Sequence, residues 1–132
     1  HILGTHYEAT NKHEDIFNTC HNAQKEVGIG IVPDTPWEVL KPFVAKVDLF
    51  QTLAVEPGPA GQAFDSRILE KLKNLRALDA QIPLEVDGGV KSGIARECIH
   101  AGATILVAAH SLFDRGIPFA EAFRELHHDA HS

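Results

Sequence analysis

Apolar runs recur along this chain, and between them apolar residues return every three or four positions. Val27 to Val32, Val47 to Val55, Ile82 to Val86 and Thr104 to Ala108 are strand-length and mainly apolar, and Val27 to Val32 lacks strict alternation. That pattern predicts parallel strands covered on both faces. Ile2 to Glu8 predicts a shorter first strand. Ile16, Phe17, Cys20 and Ala23 fall on one side of a helix from about Glu14 to Lys25, with Asn11 or Thr10 available as its cap. Thr35, Pro36 and Glu38 carry a capping-box pattern that predicts a second helix. Ile68, Leu69, Leu72 and Leu75 form one stripe of a helix from about Ser66 to Leu78, with Arg67, Glu70, Lys71, Lys73 and Asn74 outward. Further helices are predicted from Ser92 to about His100, with Gly102 as the stop, and from Pro118 to about His127.

The order is strand then helix, five times, with no linker or composition shift between units. Such alternation implies an α/β fold, a parallel sheet with helices outside it. In a chain of 132 residues each unit takes about 26, and eight such units make a (β/α)₈ barrel of roughly 250 residues. The expectation is a single domain over residues 1–132, part of a TIM (β/α)₈ barrel. The chain has no methionine and begins His1-Ile2-Leu3 inside an apolar run, so a piece of a longer protein is expected. An incomplete barrel has two unpaired sheet edges, which invite association. A homo-oligomer, a swapped copy or a complementary segment is the expected remedy.

Composition narrows the partners. Net charge is −6 and no stretch is densely basic, which argues against nucleic acid. No run reaches the ~18 apolar residues of a membrane span. Cys20 and Cys98 lack any Cys-x-x-Cys context, and two buried thiols in a cytoplasmic protein are expected rather than a disulfide.

Candidate chemistry gathers after the strands. Leu84-Glu85-Val86-Asp87 runs straight into Gly88-Gly89. A carboxylate at a strand's C-terminal end sits where parallel α/β folds place their chemistry. Adjacent glycines let a backbone come close to a ligand and offer N–H groups to a phosphate. Two more loops rich in small residues follow strands, Pro57 to Gly61 and Ala108-Ala109-His110. In a parallel barrel all three open on one face, although the glycines could simply permit tight turns. Nine histidines are present. His6 is expected in or beside the pocket, more as a packed residue than as a ligand. His127-His128-x-x-His131 has the look of a metal tract, but at a polar C-terminus it reads first as solvated tail.

Together these residues resemble the ribulose-phosphate 3-epimerase family. The resemblance rests on Val55-Glu56-Pro57-Gly58-x-x-Gly61-Gln62-x-Phe64, on Glu85-Val86-Asp87-Gly88-Gly89-Val90, and on Ala101-Gly102-Ala103 before the last strand. His6-x-Glu8-Ala9 and the segment from Val27-Gly28 to Pro33-x-Thr35 extend it over the whole chain, in order. It implies a barrel of the ribulose-phosphate-binding type with strands four to eight present. It implies interconversion of D-ribulose 5-phosphate and D-xylulose 5-phosphate by two acids acting on opposite faces of C3, through a metal-stabilised enediolate. Asp87 would be one acid and a ligand to a divalent ion such as Zn, Fe, Mn or Co. Gly58, Gly61, Gly88, Gly89, Ala109 and His110 would hold the phosphate of a small sugar phosphate. Glu8 would be structural and Glu56 would brace its loop.

The chain departs from the family pattern at three places. Pro59-Ala60 replaces a more flexible pair, with Ala60 restricting φ. Leu53 stands where the family has methionine over the metal, and Ala109-His110 stands where it has Gly-Ser. The family's partner acid and remaining metal ligands come from strands not represented here. Two other readings follow: a relative that binds sugar phosphate without turnover, and another phosphate-binding barrel enzyme, such as an epimerase acting on allulose 6-phosphate or a sugar-phosphate decarboxylase.

Overall fold

A computed structural model describes residues 1–59 and 61–132. Five strands, β1 (Ile2–His6), β2 (Glu26–Ile31), β3 (Leu49–Leu53), β4 (Leu84–Asp87) and β5 (Ile105–Val107), form one sheet in the order of the chain. Every neighbouring pair is parallel. Helices α1 (His13–Asn22), α2 (Arg67–Leu78), α3 (Ile94–His100), α4 (His110–Phe113) and α5 (Phe119–Ala130) connect and follow the strands. A five-stranded parallel α/β sheet of this kind is consistent with part of a TIM barrel.

The two faces of the sheet differ. One carries Val27, Ile29, Ile31, Phe50, Leu84 and Val86, all fully buried against Phe17, Cys20, Ile68, Leu72, Leu75 and Cys98 from the helices. This is the main core, and it holds both free thiols. The other face carries Gly28, Gly30, Leu49, Gln51 and Glu85, which line an open cavity of about 280 Å³ together with Ile2 and Ile105. Along that face one register row runs His6, Gly30, Gln51, Glu85, Ile105. Gln51 Nε2 donates to Glu85 Oε1 at 2.8 Å within it. Ile2 and Leu3 stay exposed on the edge strand β1, as expected of an unpaired edge.

Several expected boundaries are corrected by contacts distant in sequence. The first strand stops at His6, and Tyr7–Ala9 forms a 3₁₀ turn, because the Glu8 carboxylate is drawn to the Val32 N–H and the Thr35 hydroxyl. Thr35 therefore caps nothing; Trp37–Phe43 is a 3₁₀ helix without a side-chain cap, and Pro42 within it lacks the donor an α-helix would use. Helix α1 is also uncapped by a side chain, Thr10 Oγ1 accepting from the Lys12 N–H instead. Helix α3 begins at Ile94 rather than Ser92. Its first N–H groups go to Asp129 on α5, at 2.7 Å from Gly93 and 3.0 Å from Arg96. Gly102 does end α3, with φ of +115°. Helix α5 continues past His127 to Ala130, with His131 as its cap, and His127, His128 and His131 are all exposed, as solvated residues of the tract were expected to be.

Candidate active site at the strand ends

Asp87 is the last residue of β4 and pairs in register with Leu53 of β3 and Val107 of β5. Its side chain is half-buried and has no hydrogen-bond partner among the described residues. Burial raises its pKa above the ordinary carboxylate value, and the charge of His6 opposes this only in part. His6 lies on the same sheet face, its ring over Gly30: a Cβ added at Gly30 would sit 3.4 Å from His6 Cδ2. It does not line the cavity beside Asp87.

That cavity, of about 270 Å³, is formed by three loops after β3, β4 and β5. It brings together Asp87, Gly58, Gly61, Gly88, Gly89, Ala109 and His110, with Leu53 and Val107 beneath. Ala60, the residue expected to stiffen the first loop, lies outside the described residues. No lysine or arginine is among the lining residues, so an anion there would be met by backbone N–H groups and His110.

The loops interlock. A Cβ on Gly88 would come within 2.5 Å of Val55 Cγ2, and one on Gly89 within 2.8 Å of the Phe64 backbone N. Both glycines also have positive φ, +108° and +66°. The pair is thus demanded by loop packing whether or not a ligand is present, so their identity alone does not argue for phosphate. Gln62 Nε2 donates to the Glu56 and Pro59 carbonyls at 2.9 and 3.0 Å. Gln62, rather than the Glu56 carboxylate, is the brace. Ser111 was not foreseen: it is buried, and its hydroxyl donates to the Val90 carbonyl at 2.7 Å, tying the third loop to the second. Only its position two residues after Ala109 hinted at it. His110 Nδ1 stands 3.3 Å from Asp114 Oδ2 and over Gly61.

Glu8, an acid near the end of β1, takes no part in the cavity. Burial acts to raise its pKa, but the hydrogen bonds from Thr35 and Val32 outweigh it and hold the carboxyl below its ordinary value. Lys71 reinforces the same corner, donating to the Val32, Pro33 and Thr35 carbonyls.

A parallel α/β sheet with one half-buried, unpartnered acid and three loops meeting at the strand C-terminal ends belongs to the class whose ligands bind at that rim. Comparison with known sequences specifies the family. The Ribulose-phosphate 3 epimerase family matches residues 1–113. The ribulose-phosphate 3-epimerase of Schizosaccharomyces pombe is 40% identical over 113 residues, covering 86% of this chain and 50% of that protein. That of Escherichia coli is 33% identical over 118 residues, covering 86% and 52%. That of Chlamydia muridarum is 32% identical over 116 residues, covering 83% and 51%. This chain belongs to the ribulose-phosphate 3-epimerase family. It spans about half the length of the curated relatives it matches.

Proposed function

We propose that the chain is the part of a ribulose-phosphate 3-epimerase that supplies the phosphate loops and one of the two acids, and that its strands are the fourth to eighth of the barrel. The reading is supported chiefly by the placement of Asp87, unpartnered, in the same cavity as Gly58, Gly61, Gly88, Gly89, Ala109 and His110. In it, Asp87 exchanges a proton at C3 of D-ribulose 5-phosphate or D-xylulose 5-phosphate from one face of the sugar. Burial raises the proton affinity of Asp87 above that of a solvated carboxylate, as proton abstraction from carbon requires of its base. Leu53 and Val107 give the reacting carbon an apolar floor. The phosphate rests on backbone N–H groups of the three loops and on His110. Inversion needs a second acid on the opposite face, and that group comes from outside this chain.

The divalent ion is a separate matter. No three His, Cys, Asp or Glu residues group so as to hold a metal among the described residues. Asp87 by itself does not make a metal centre, so in this reading it is one ligand among several contributed from elsewhere, and no step here is routed through the ion.

Deuterium entry at C3 of ribulose 5-phosphate in D₂O tests the reading, measured with this chain and with a longer protein containing it. Exchange that Asp87→Asn removes is the expected result. One observation favours the second reading, a sugar-phosphate-binding relative without turnover. Asp114 holds a carboxylate 3.3 Å from the His110 nitrogen, at the end of the cavity where an anion would sit. Tight ribulose 5-phosphate binding with no exchange in either protein would establish that alternative instead.

A further inference from the structure

The histidines at the end of α5 form an arrangement that the strand-end site does not use. His127 lies in the last turn of α5 and His131 caps its end four residues on, and the two side chains stand next to each other. Their rings stack with centroids 4.2 Å apart and planes inclined by 28°. Imidazole lone pairs lie in the ring plane, so the stacked rings hold theirs side by side, and each ring has to rotate before both can face one ion. Two histidines at this spacing on a helix are a recurrent pair of metal ligands.

Three further observations bear on the pair. His131 Nδ1 lies 2.7 Å from the His127 carbonyl. An oxygen there can only accept, so Nδ1 carries the hydrogen and Nε2 keeps its lone pair. An outer hydrogen bond fixes the tautomer of metal-binding imidazoles in the same way. Neither ring nitrogen of His127 has a hydrogen-bond partner among the described residues. The last turn is also held in place. Asp129 accepts the Gly93 and Arg96 N–H groups, Ser132 Oγ donates to the Asp129 carbonyl at 2.7 Å, and the His131 N–H goes to His128. The ligands thus stand on an anchored turn, at the helix end whose free carbonyls favour a cation.

We propose that His127 and His131 form a surface site for one late first-row divalent ion, Zn²⁺, Ni²⁺ or Cu²⁺, with water in the remaining positions. Imidazole ligands select these ions over Mg²⁺ and Ca²⁺. Both side chains are exposed, leaving room for the waters. Metal–nitrogen bonds of about 2.0–2.1 Å place the two nitrogens roughly 3 Å apart, which these exposed rings reach by rotating out of their stack. Neither residue lines the cavity that holds Asp87, so this ion is distinct from any held there. The site does not depend on the proposed activity.

Titration of the chain with Ni²⁺ alone, followed by NMR of the imidazole and backbone signals, tests it. The expected result is paramagnetic broadening that begins at His127 and His131. Calorimetry with Zn²⁺ should give one equivalent bound. His127→Ala and His131→Ala should each weaken that binding about tenfold or more, and His128→Ala should change it less than about twofold. Broadening that begins at His1, His21 or His110, or unchanged Zn²⁺ affinity in His131→Ala, would overturn the proposal. The wild-type broadening pattern decides even where a variant frays the helix.

Discussion

Two of the acids near strand C-terminal ends, Glu8 and Asp87, are in opposite states. At the β1–β2 corner, Glu8 is claimed by the Val32 N–H and the Thr35 hydroxyl, and Lys71 takes up the carbonyls around it. Its pKa is held down. At the β3–β5 rim, Asp87 has no such partners among the described residues, and its pKa is pushed up by burial. The first corner spends its polar groups on its own backbone, whereas the second leaves a carboxylate uncommitted beside a cavity. An acid's position at the rim therefore says little until its hydrogen bonds are counted, since a satisfied carboxylate is a poor proton acceptor.

The comparison can be broken most forcefully at the loops that frame Asp87. Gly89→Ala places a methyl against the Phe64 backbone at a positive φ. It should cost about 3 kcal/mol or more in urea unfolding, through clash and left-handed strain together. A loss under about 1 kcal/mol would mean that the rim loops are not interlocked.

Glu8→Gln probes the other corner. Two hydrogen bonds to a charged acceptor, discounted for its exposure, suggest a loss of about 1 kcal/mol near neutral pH. The pH dependence is the sharper measurement. The folded-state pKa lies below the ordinary 4.5, so the stabilisation is complete above that value and disappears as pH falls through the folded one. The gap between parent and Glu8→Gln should thus close as the solution is acidified below pH 4.5. A constant gap would show that packing, not charge, is at stake.

Asp87→Asn should have the smallest effect on stability and the opposite sign. Removing a desolvated, unpartnered charge should leave thermal stability at neutral pH unchanged or slightly higher, as is common where a site holds strain for function. A clear drop in melting temperature would show that Asp87 has a structural partner and would remove the contrast with Glu8.

Much of this was legible in one dimension. The order of strands and helices follows from apolar runs alternating with helical spacing, because burial of one face or stripe depends on local periodicity. Asp87 and the loop glycines could be picked out because a strand running into an acid and two glycines is a local pattern. The cause of the glycines was not local: Val55 and Phe64 press on them from another loop. Nor could Thr35 be seen to serve Glu8 instead of a helix cap, Asp129 to cap α3 from 36 residues away, or Ser111 to bind Val90.

Propensity and periodicity are properties of neighbouring residues, so the sequence by itself determined which segments are strands and helices, and which loops end in acid and glycine. Hydrogen bonds between segments depend on where chain packing brings distant groups. The tertiary structure alone decided which donor meets which acceptor, and hence which of two similar carboxylates was left free.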